Sequence, residues 1–298
     1  TFASELVHAA ATRGILGVQR RDQHQLVASA IEQVHGDDLE PWNLTLSHHW
    51  AAAGKRIDAA RHAFAAGARF EQDQLLDRAR SAFELGLSQI LQVPTEPSTW
   101  DARVQGESML QYRLGAVCAL LGDHRAAERA LQVALDIASD AGLPWIEARA
   151  HLQLGRIHLA RGRHVMADAH IDQARALARL EEDPALTQEC IAAAANLAHE
   201  RGLNDEAEAL WGEALAQADG DVTAVARCKL GMASRRIRGG ELERAATLLD
   251  EALEAARASS DRILVGRVLN NQGLLHYWAG RYDAALKAFR SALRVREG

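Results

Sequence analysis

The sequence predicts an all-α protein, an α-solenoid made of consecutive antiparallel helical hairpins. First, a glycine recurs from residue 122 onward at steps of 40, 40, 38 and 40 residues. Second, the same set of small and large apolar residues follows each of these glycines. Third, only 5 of the 298 residues are prolines, so few residues interrupt helices. A fixed period of this length indicates stacked structural repeats. The five glycines are Gly122, Gly162, Gly202, Gly240 and Gly280.

The second helix of each predicted hairpin follows the glycine. An alanine lies five residues after the glycine, a large apolar residue nine after it and another alanine twelve after it. Offsets of four and three residues place these side chains on one helical face, where the alanines let a neighbouring helix approach closely. The large residues are Leu131, Ile171, Trp211, Leu249 and Phe289.

The first helix of each hairpin precedes the glycine and repeats less strictly. A small residue recurs at steps of 40, 40, 36 and 42 residues, which predicts a short entry loop and two extra residues before the fourth turn. The glycine supplies the tight turn between the two helices. Pro144 and Pro184 are placed in first helical turns, and Asp183 is placed to cap the helix that Pro184 begins. The small residues are Gly115, Gly155, Ala195, Gly231 and Gly273.

A small residue, a glycine seven residues later, and then alanine, a bulky residue and alanine together resemble the tetratricopeptide repeat. The best match is QGLLHYWAGRYDAALKAFRSAL, residues 272–293. The resemblance covers about residues 42–298. The family period is about 34 residues, whereas this chain has about 40, as in the long-helix variety of large bacterial regulators. The resemblance implies a right-handed superhelix whose concave surface is formed by the first helices.

This pattern divides the chain into four regions. Residues 1–40 are predicted to be a helical segment, the end of a winged-helix or linker region, and residues 41–91 are predicted to be irregular helices of the tetratricopeptide type. The Pro/Thr-rich segment 92–99 is a predicted linker. Residues 100–298 are predicted to form five regular hairpins, at about 100–141, 142–181, 182–219, 220–259 and 260–298.

The N-terminal region has a resemblance of its own. LVHAAATRGIL, RRDQHQLVASAIEQ and LSHHWAAAG, within residues 6–54, are similar to the segment that joins the nucleotide-binding region to the helical repeats in bacterial multidomain signalling ATPases of the STAND or AAA type. This implies the regulatory part of a larger bacterial signalling protein. Since no GxxxxGKS or GxxxxGKT motif occurs, a nucleotide site would lie outside this chain. The chain begins without methionine, so we expect a fragment or a processed chain.

The amino-acid composition restricts the classes of partner that we expect for this chain. A formal net charge of −6 and a pI near 6.1 provide no general attraction to nucleic acid or to an anionic membrane. No apolar run approaches the length of a membrane helix. The three cysteines are far apart and form no CxxC pair, which favours buried, reduced thiols and a cytoplasmic location. We therefore expect a protein or peptide partner, or other domains of a parent chain, and no cofactor.

The 13 histidines suggest a metal site, but their spacing argues against one. His151 and His158 lie two turns apart on one helix, and no HExxH motif or paired Cys/His set accompanies them. We expect these two histidines to be packing residues. No GxSxG motif, phosphate loop or cysteine with an evident histidine partner occurs. The sequence therefore predicts neither catalytic residues nor metal ligands.

The predicted binding residues come from the resemblance. Tetratricopeptide proteins bind ligands through first-helix positions about three residues before the small residue and one and four after it. Arginine can bind a carboxylate through two hydrogen bonds, and asparagine can both donate to and accept from a peptide backbone. The alternative is that these side chains only solvate an exposed helix face. Transferred onto this chain, with two neighbouring residues added, the groove residues are Tyr112, Arg149, Arg156, Asn196, His199, Arg235, Asn270, Asn271 and Tyr277.

Three functions follow, in order of preference. The first is a protein-interaction or sensor module that binds a peptide or a protein surface in the concave groove. The second is a receptor for a short signalling peptide or small ligand that closes the superhelix. The third is an enzyme, which the absence of catalytic motifs makes the weakest candidate.

Overall fold

A computed structural model describes residues 17–36 and 38–297 of the chain. Within these residues every regular element is a helix. The chain divides into two compact units, Thr1–Ala150 and His151–Gly298, and the boundary falls inside one helix. The LVHAAATRGIL stretch that resembles the ATPase linker lies outside the described residues.

In the described part of the first unit, most helices are joined by short turns, and a longer non-helical segment separates α4 from α5. In chain order its elements are α1 (Gly17–Val34), a 3-10 helix (Glu40–Trp42), α2 (Asn43–Ala52), α3 (Arg56–Gln72), α4 (Leu76–Ile90), α5 (Trp100–Leu120), α6 (His124–Ala141) and the first part of α7 (Pro144–Ala160).

The second unit contains the remainder of α7 and seven further helices of nearly uniform length. These are α8 (His164–Leu180), α9 (Pro184–Glu200), α10 (Asn204–Ala216), α11 (Val222–Arg238), α12 (Leu242–Ala258), α13 (Arg262–Trp278) and α14 (Tyr282–Glu297). The helices α7, α9, α11 and α13 are the first helices of hairpins, and α8, α10, α12 and α14 are the second helices.

Glu32 of α1 connects the N-terminal helices of the first unit. Trp50 Nε1 of α2 donates to Glu32 Oε1 at 3.1 Å, and His62 Nε2 of α3 lies 3.0 Å from the same oxygen. His62 Nδ1 also contacts Asn43 Oδ1 at 2.9 Å. Because these polar groups are largely buried, their mutual contacts satisfy hydrogen bonds that water cannot supply.

The segment 92–99 is non-helical and is held against the helices beside it, all within the first unit. Val93 is buried in an apolar cluster with Phe83 and Leu110. Arg103 Nη1 of α5 donates to Val93 O at 2.5 Å and to Thr95 Oγ1 at 2.8 Å. The predicted linker is therefore a packed connection between α4 and α5.

Turn glycines end the first helices of the regular hairpins, as the sequence predicts. Gly162 has φ 68° and Gly280 has φ 71°, in the left-handed region that favours glycine. The cap of α9 is also confirmed, because Asp183 Oδ1 accepts a hydrogen bond from Leu186 N at 2.9 Å and Pro184 lies at the start of the helix. Local sequence signals thus set where these helices begin and end.

The predicted alanine and large apolar positions form the core of the second unit. Leu249 of α12 is fully buried between Ala245 and Ala252 on the same helix, in one cluster with Ala233 of α11. Ile171 packs directly on Gly155, where an added Cβ would lie 2.8 Å from Ile171 Cγ1. The close helix approach predicted from the small residues is confirmed here.

The fourth hairpin departs from the predicted register. In the second hairpin, Gly155 faces Ile171, the large residue of the second helix of the same hairpin, which lies sixteen positions later. In the fourth hairpin, a Cβ on Gly231 would instead contact the indole of Trp211, which belongs to the preceding hairpin. The residue sixteen positions before Leu249 is Ala233, which is fully buried. Ala233 is therefore the small residue of the fourth hairpin, and the prediction based on Gly231 is displaced by two residues.

The three cysteines, Cys118, Cys190 and Cys228, are buried free thiols. Burial raises the pKa of Cys190 to about 12 and that of Cys228 to about 11. The thiolate is the reactive form of cysteine, so both side chains behave as small apolar packing groups. No helix among residues 17–36 and 38–297 is long and apolar enough to cross a bilayer.

Candidate functional site

The second unit has a surface formed by the first helices of its hairpins. The helices α9 and α11 pack side by side, and so do α11 and α13. Residues 151–160 of α7 reach α9 through a side-chain contact of Arg156. We call the exposed side of these four segments the first-helix surface. Because it crosses several hairpins, a ligand on it contacts residues far apart in sequence.

An arginine cluster, defined as Arg156, Glu189, Arg227 and Arg267, lies on the first-helix surface. Arg156 Nη2 donates to Glu189 Oε2 at 2.7 Å, and Arg227 Nη1 lies 3.7 Å from the same oxygen. The side chains of Arg156, Glu189 and Arg227 are 33%, 36% and 40% exposed. The carboxylate of α9 thus connects the first helices on both sides and stays accessible to solvent.

Arg267 occupies the same position on α13 as Arg227 does on α11, thirteen residues before the turn glycine, and these two helices pack side by side. Desolvation by the surrounding protein lowers its pKa, and repulsion from Arg227 and Arg156 lowers it further, while Asp261 opposes the shift. Part of the Arg267 side chain nevertheless remains exposed. Glu189 forms ion pairs with both Arg156 and Arg227.

Sequence reasoning missed three of the four cluster residues, although a signal for them exists. Each lies thirteen residues before the turn glycine of its hairpin, so each occupies the same point on its first helix. Because a shared offset from the turn places side chains on one row, this spacing could have identified them. The pairs are Glu189 with Gly202, Arg227 with Gly240, and Arg267 with Gly280.

The two-residue displacement of the fourth hairpin explains why Arg235 was placed in the groove. Counted from Ala233, Arg235 lies two positions after the small residue, on the side that packs against the preceding hairpin. Arg235 Nη2 donates to Glu208 Oε2 of α10, and its side chain is only 16% exposed. Arg236 binds the same glutamate and also Glu241. The structure therefore places Arg235 in an ion-pair network between helices.

Two predicted residues on α9 have different surroundings. Asn196 is exposed and available to a ligand. His199 is 8% exposed, and its ring packs on Trp211 with the centroids 5.6 Å apart. Desolvation by burial lowers the pKa of His199, and Arg238 lowers it further. His199 is thus mainly a packing residue, while Asn196 belongs to the first-helix surface.

The predicted residues of α13 also divide between surface and packing roles. Asn270 is exposed, and Tyr277 is 53% exposed beside Tyr282 at a ring separation of 5.8 Å. Asn271 accepts a hydrogen bond from Ser234 Oγ at 3.1 Å and donates to Arg267 O at 3.0 Å. Asn271 therefore joins α13 to α11, whereas Asn270 and Tyr277 face solvent.

The two remaining predicted residues belong to the first unit. Tyr112 of α5 is half-buried, and Arg149 of α7 is half-buried with Nη1 donating to Trp145 O at 3.2 Å. Of the nine predicted groove residues, only Arg156 is a member of the arginine cluster.

Three histidines of the second unit, two on α7 and one on α8, pack against one another. His151 Nδ1 and His170 Nδ1 are 2.8 Å apart, and His158 stacks on His170 at a centroid distance of 5.3 Å. Burial and the neighbouring His170 lower the pKa of His151 to about 4. Among the residues that the structure describes, no group of three or more potential ligands could hold a metal ion.

Comparison with known proteins identifies the repeat type. Residues 236–298 match the sequence profile of the tetratricopeptide repeat family, which places the match on the end of α11 and on α12, α13 and α14. No curated protein sequence matches this chain.

Several solved structures share the fold. The apo form of RapI aligns with a TM-score of 0.66 at 10% identity, covering 93% of this chain and 97% of that chain. A Rap protein in complex with competence and sporulation factor gives 0.61 at 12%, covering 97% and 78%. The Rap conjugation gene regulator of plasmid pLS20, solved with a Phr peptide, gives 0.63 at 14%, covering 85% and 76%. The chain is thus an all-α, tetratricopeptide-like solenoid protein.

Proposed function

We propose that this chain is an interaction module, without catalysis of its own, that binds a peptide or protein segment across the first-helix surface. The observation that carries the proposal is the row of exposed polar side chains on first helices that pack side by side. Asn196 on α9 and Asn270 on α13 are exposed, and Arg227 on α11 lies between these helices. Amide side chains can hold an extended backbone by donating and accepting together.

The similar structures support this type of ligand. Two of the Rap proteins that share the fold were solved with a partner bound, one with competence and sporulation factor and one with a Phr peptide. A surface that spans several hairpins suits an extended segment, since such a segment can contact successive first helices. We infer a peptide or protein ligand for this chain from the exposed polar row together with these relatives.

Position-specific photocrosslinking tests the proposal. A photoreactive amino acid replaces Asn196 or Asn270, and the matched control carries it at exposed Asp172 on the second helix α8. In host lysate, we expect the same partner to be crosslinked from positions 196 and 270 and not from position 172. Equal crosslinking from position 172 would contradict the assignment of the surface.

A receptor for a short signalling peptide or small ligand is the second candidate. The Rap protein solved with a Phr peptide favours it. Binding would then change the shape of the solenoid, and small-angle scattering measures this as a smaller radius of gyration. An unchanged scattering profile in a sample saturated with such a ligand would favour the interaction module instead.

We also propose that the module is the regulatory part of a larger, cytoplasmic bacterial signalling protein, whose other domains are possible partners. The resemblance of residues 20–33 and 46–54 to the linker of signalling ATPases supports this. The ligand would shift the parent protein toward whichever of its active and inactive states binds the ligand more tightly. Sequencing the coding region upstream of residue 1 tests this proposal, and a phosphate-binding loop there is the expected result.

A further inference from the structure

We propose that His24 of α1 and His49 of α2 form an acid-sensitive latch, which releases the N-terminal half of α1, residues 17–25, when both imidazoles carry an added proton. The inference goes beyond the proposed function, because the latch lies in the first unit and involves no ligand. His24 Nδ1 and His49 Nδ1 are 2.9 Å apart, and the ring centroids are 5.1 Å apart. Both side chains are half-buried, and α1 packs on α2.

The short distance between the two Nδ1 atoms limits how many protons the closed latch can hold. One Nδ1 must donate its hydrogen, and the other must accept it through a lone pair. With no added proton or with one, an acceptor remains and the hydrogen bond persists. With two added protons every ring nitrogen carries a hydrogen, so the acceptor is lost and two positive charges lie side by side. The open latch can therefore hold one proton more than the closed latch.

The groups around the latch also disfavour a second proton. Desolvation by burial lowers the pKa of His49, and His24 and His48 lower it further. On α1, Arg20 and Arg21 precede His24 by four and three residues, the spacing that places side chains beside each other on a helix. These neighbours are cationic or become so in acid, so none of them stabilises a second imidazolium.

The carboxylates nearest in sequence do not balance the latch. Asp22 precedes His24 by two residues, an offset at which helical side chains do not face each other, and it is exposed. On α3, which packs on α2, Asp58 pairs with Arg61 at 3.1 Å. Arg56 of the same helix donates to a backbone carbonyl near the end of α2 at 3.3 Å, which adds a positive charge there. A doubly protonated latch therefore gains nothing from these residues.

The C-terminal end of α1 has the opposite chemistry. Glu32 Oε1 lies 3.0 Å from His62 Nε2 of α3 and accepts a hydrogen bond from Trp50 Nε1 of α2. A protonated His62 thus faces a carboxylate, whereas protonated His24 and His49 would face each other. We therefore expect acid to open α1 from its N-terminal half while the end that carries Glu32 stays attached.

Few apolar contacts oppose this opening. Ala28 of α1 is fully buried in a cluster with Leu46 and Trp50, but Leu26 and Val34 of α1 are largely exposed. Because the stabilisation by apolar burial scales with the area removed from water, α1 depends more on its polar contacts than the helices of the regular hairpins do. The loss of the histidine contact is therefore sufficient to shift the docking equilibrium of α1.

Amide hydrogen exchange measured by mass spectrometry tests the latch. Exchange is compared at about pH 7.5 and about pH 5, on either side of the ordinary pKa of histidine, with rates corrected for the intrinsic effect of pH. The variants are His24→Gln and His49→Gln, and the matched control is His48→Gln, which removes the exposed histidine next to His49. Peptides of α3 and α12 provide references, and EDTA in all buffers prevents a metal ion from bridging the imidazoles.

In the wild type, the open fraction of residues 17–25 should rise by about tenfold or more between the two pH values. Each pH unit below the ordinary pKa of histidine favours the state that holds one more proton by up to about tenfold. His48→Gln should keep this rise, and His24→Gln and His49→Gln should lose most of it. NMR titration of the wild type should show His24 and His49 taking up protons at the pH at which α1 opens, a result that requires no variant to fold.

Three results would overturn the proposal. One is a corrected exchange rate in α1 that does not change with pH. Another is a rise that persists in both His24→Gln and His49→Gln, or a loss in His48→Gln as large as in His49→Gln, since either would assign the effect to other charges. The third is equal opening of α3, which would indicate general acid unfolding of the first unit.

Discussion

The contact between Gly231 and Trp211 makes a sharp prediction about stability. A Cβ at position 231 would lie 2.7 Å from Trp211 Nε1 and 2.8 Å from Cε2, well inside van der Waals separation. Trp211 is only 1% exposed, so its ring has no solvent to move into. Gly212 provides a matched control, because it is also helical and an added Cβ there meets nothing within 4 Å.

The expected magnitude follows from two effects. In a helix interior, alanine is favoured over glycine by about 1 kcal/mol, and this gain applies to both positions. Overpacking a tightly packed site typically costs about 1–3 kcal/mol, and this cost applies only to position 231. Because both variants gain the same helix propensity, this gain does not contribute to the difference in stability between them. We therefore expect Gly231→Ala to be less stable than Gly212→Ala by about 1–3 kcal/mol.

Urea unfolding followed by far-UV circular dichroism measures the two free energies of unfolding. Because repeat proteins can unfold in parts, amide hydrogen exchange in α10 and α11 provides a local readout. Gly212→Ala should be at least as stable as the wild type. Equal stability of the two variants would refute the close packing of α11 on Trp211, and with it the two-residue displacement of the fourth hairpin.

Three further predictions concern single side chains. Asp221 Oδ1 accepts a hydrogen bond from Thr223 N at 2.8 Å at the start of α11, so Asp221→Ala should lower the free energy of unfolding by about 1 kcal/mol in urea titrations. Arg235→Ala should lower Tm in thermal unfolding, because Glu208 of α10 loses a partner on α11. The folded-state pKa of His151 is lowered to about 4 from about 6.5 when unfolded, so the neutral form is favoured by folding. Stability should therefore fall as pH decreases through this window, and less steeply in His151→Asn.

The periodic elements of the fold were predictable because local chemistry specifies them. Gly162 and Gly280 adopt a backbone conformation that only glycine reaches easily, and Asp183 caps its helix as its position before Pro184 predicts. Ala245, Leu249 and Ala252 share one face by their spacing alone and are all buried. Each of these features depends on a few consecutive residues.

The register of the fourth hairpin was not predictable from residue type. Gly231 and Ala233 are both small, and the glycine is the stronger match to the family pattern. Which of them faces Leu249 depends on Trp211 of the preceding hairpin, whose large ring occupies the space beside Gly231. The register of this hairpin thus depends on a contact with its neighbour, whereas the prediction that includes Arg235 used the pattern of one hairpin alone.

The candidate site was only partly predictable for a related reason. Arg156 and Asn196 follow from the family positions, and both lie on the first-helix surface. Glu189, Arg227 and Arg267 were missed because their significance comes from proximity across α9, α11 and α13. An isolated arginine on a helix is usually a solvated side chain, and only the neighbouring charges distinguish these.

The buried thiols allow the kinetics of hairpin opening to be observed in the unmodified chain. Cys190 lies in α9 and Cys228 in the next first helix, α11, and burial raises the pKa of both thiols. A thiol reagent must therefore wait until the local helices separate. Comparing the two labelling rates by mass spectrometry would rank adjacent hairpins by their opening free energies. A ligand on the first-helix surface would slow the labelling of both thiols. The ratio of the labelling rates without and with ligand would give the stabilisation of each hairpin by the ligand.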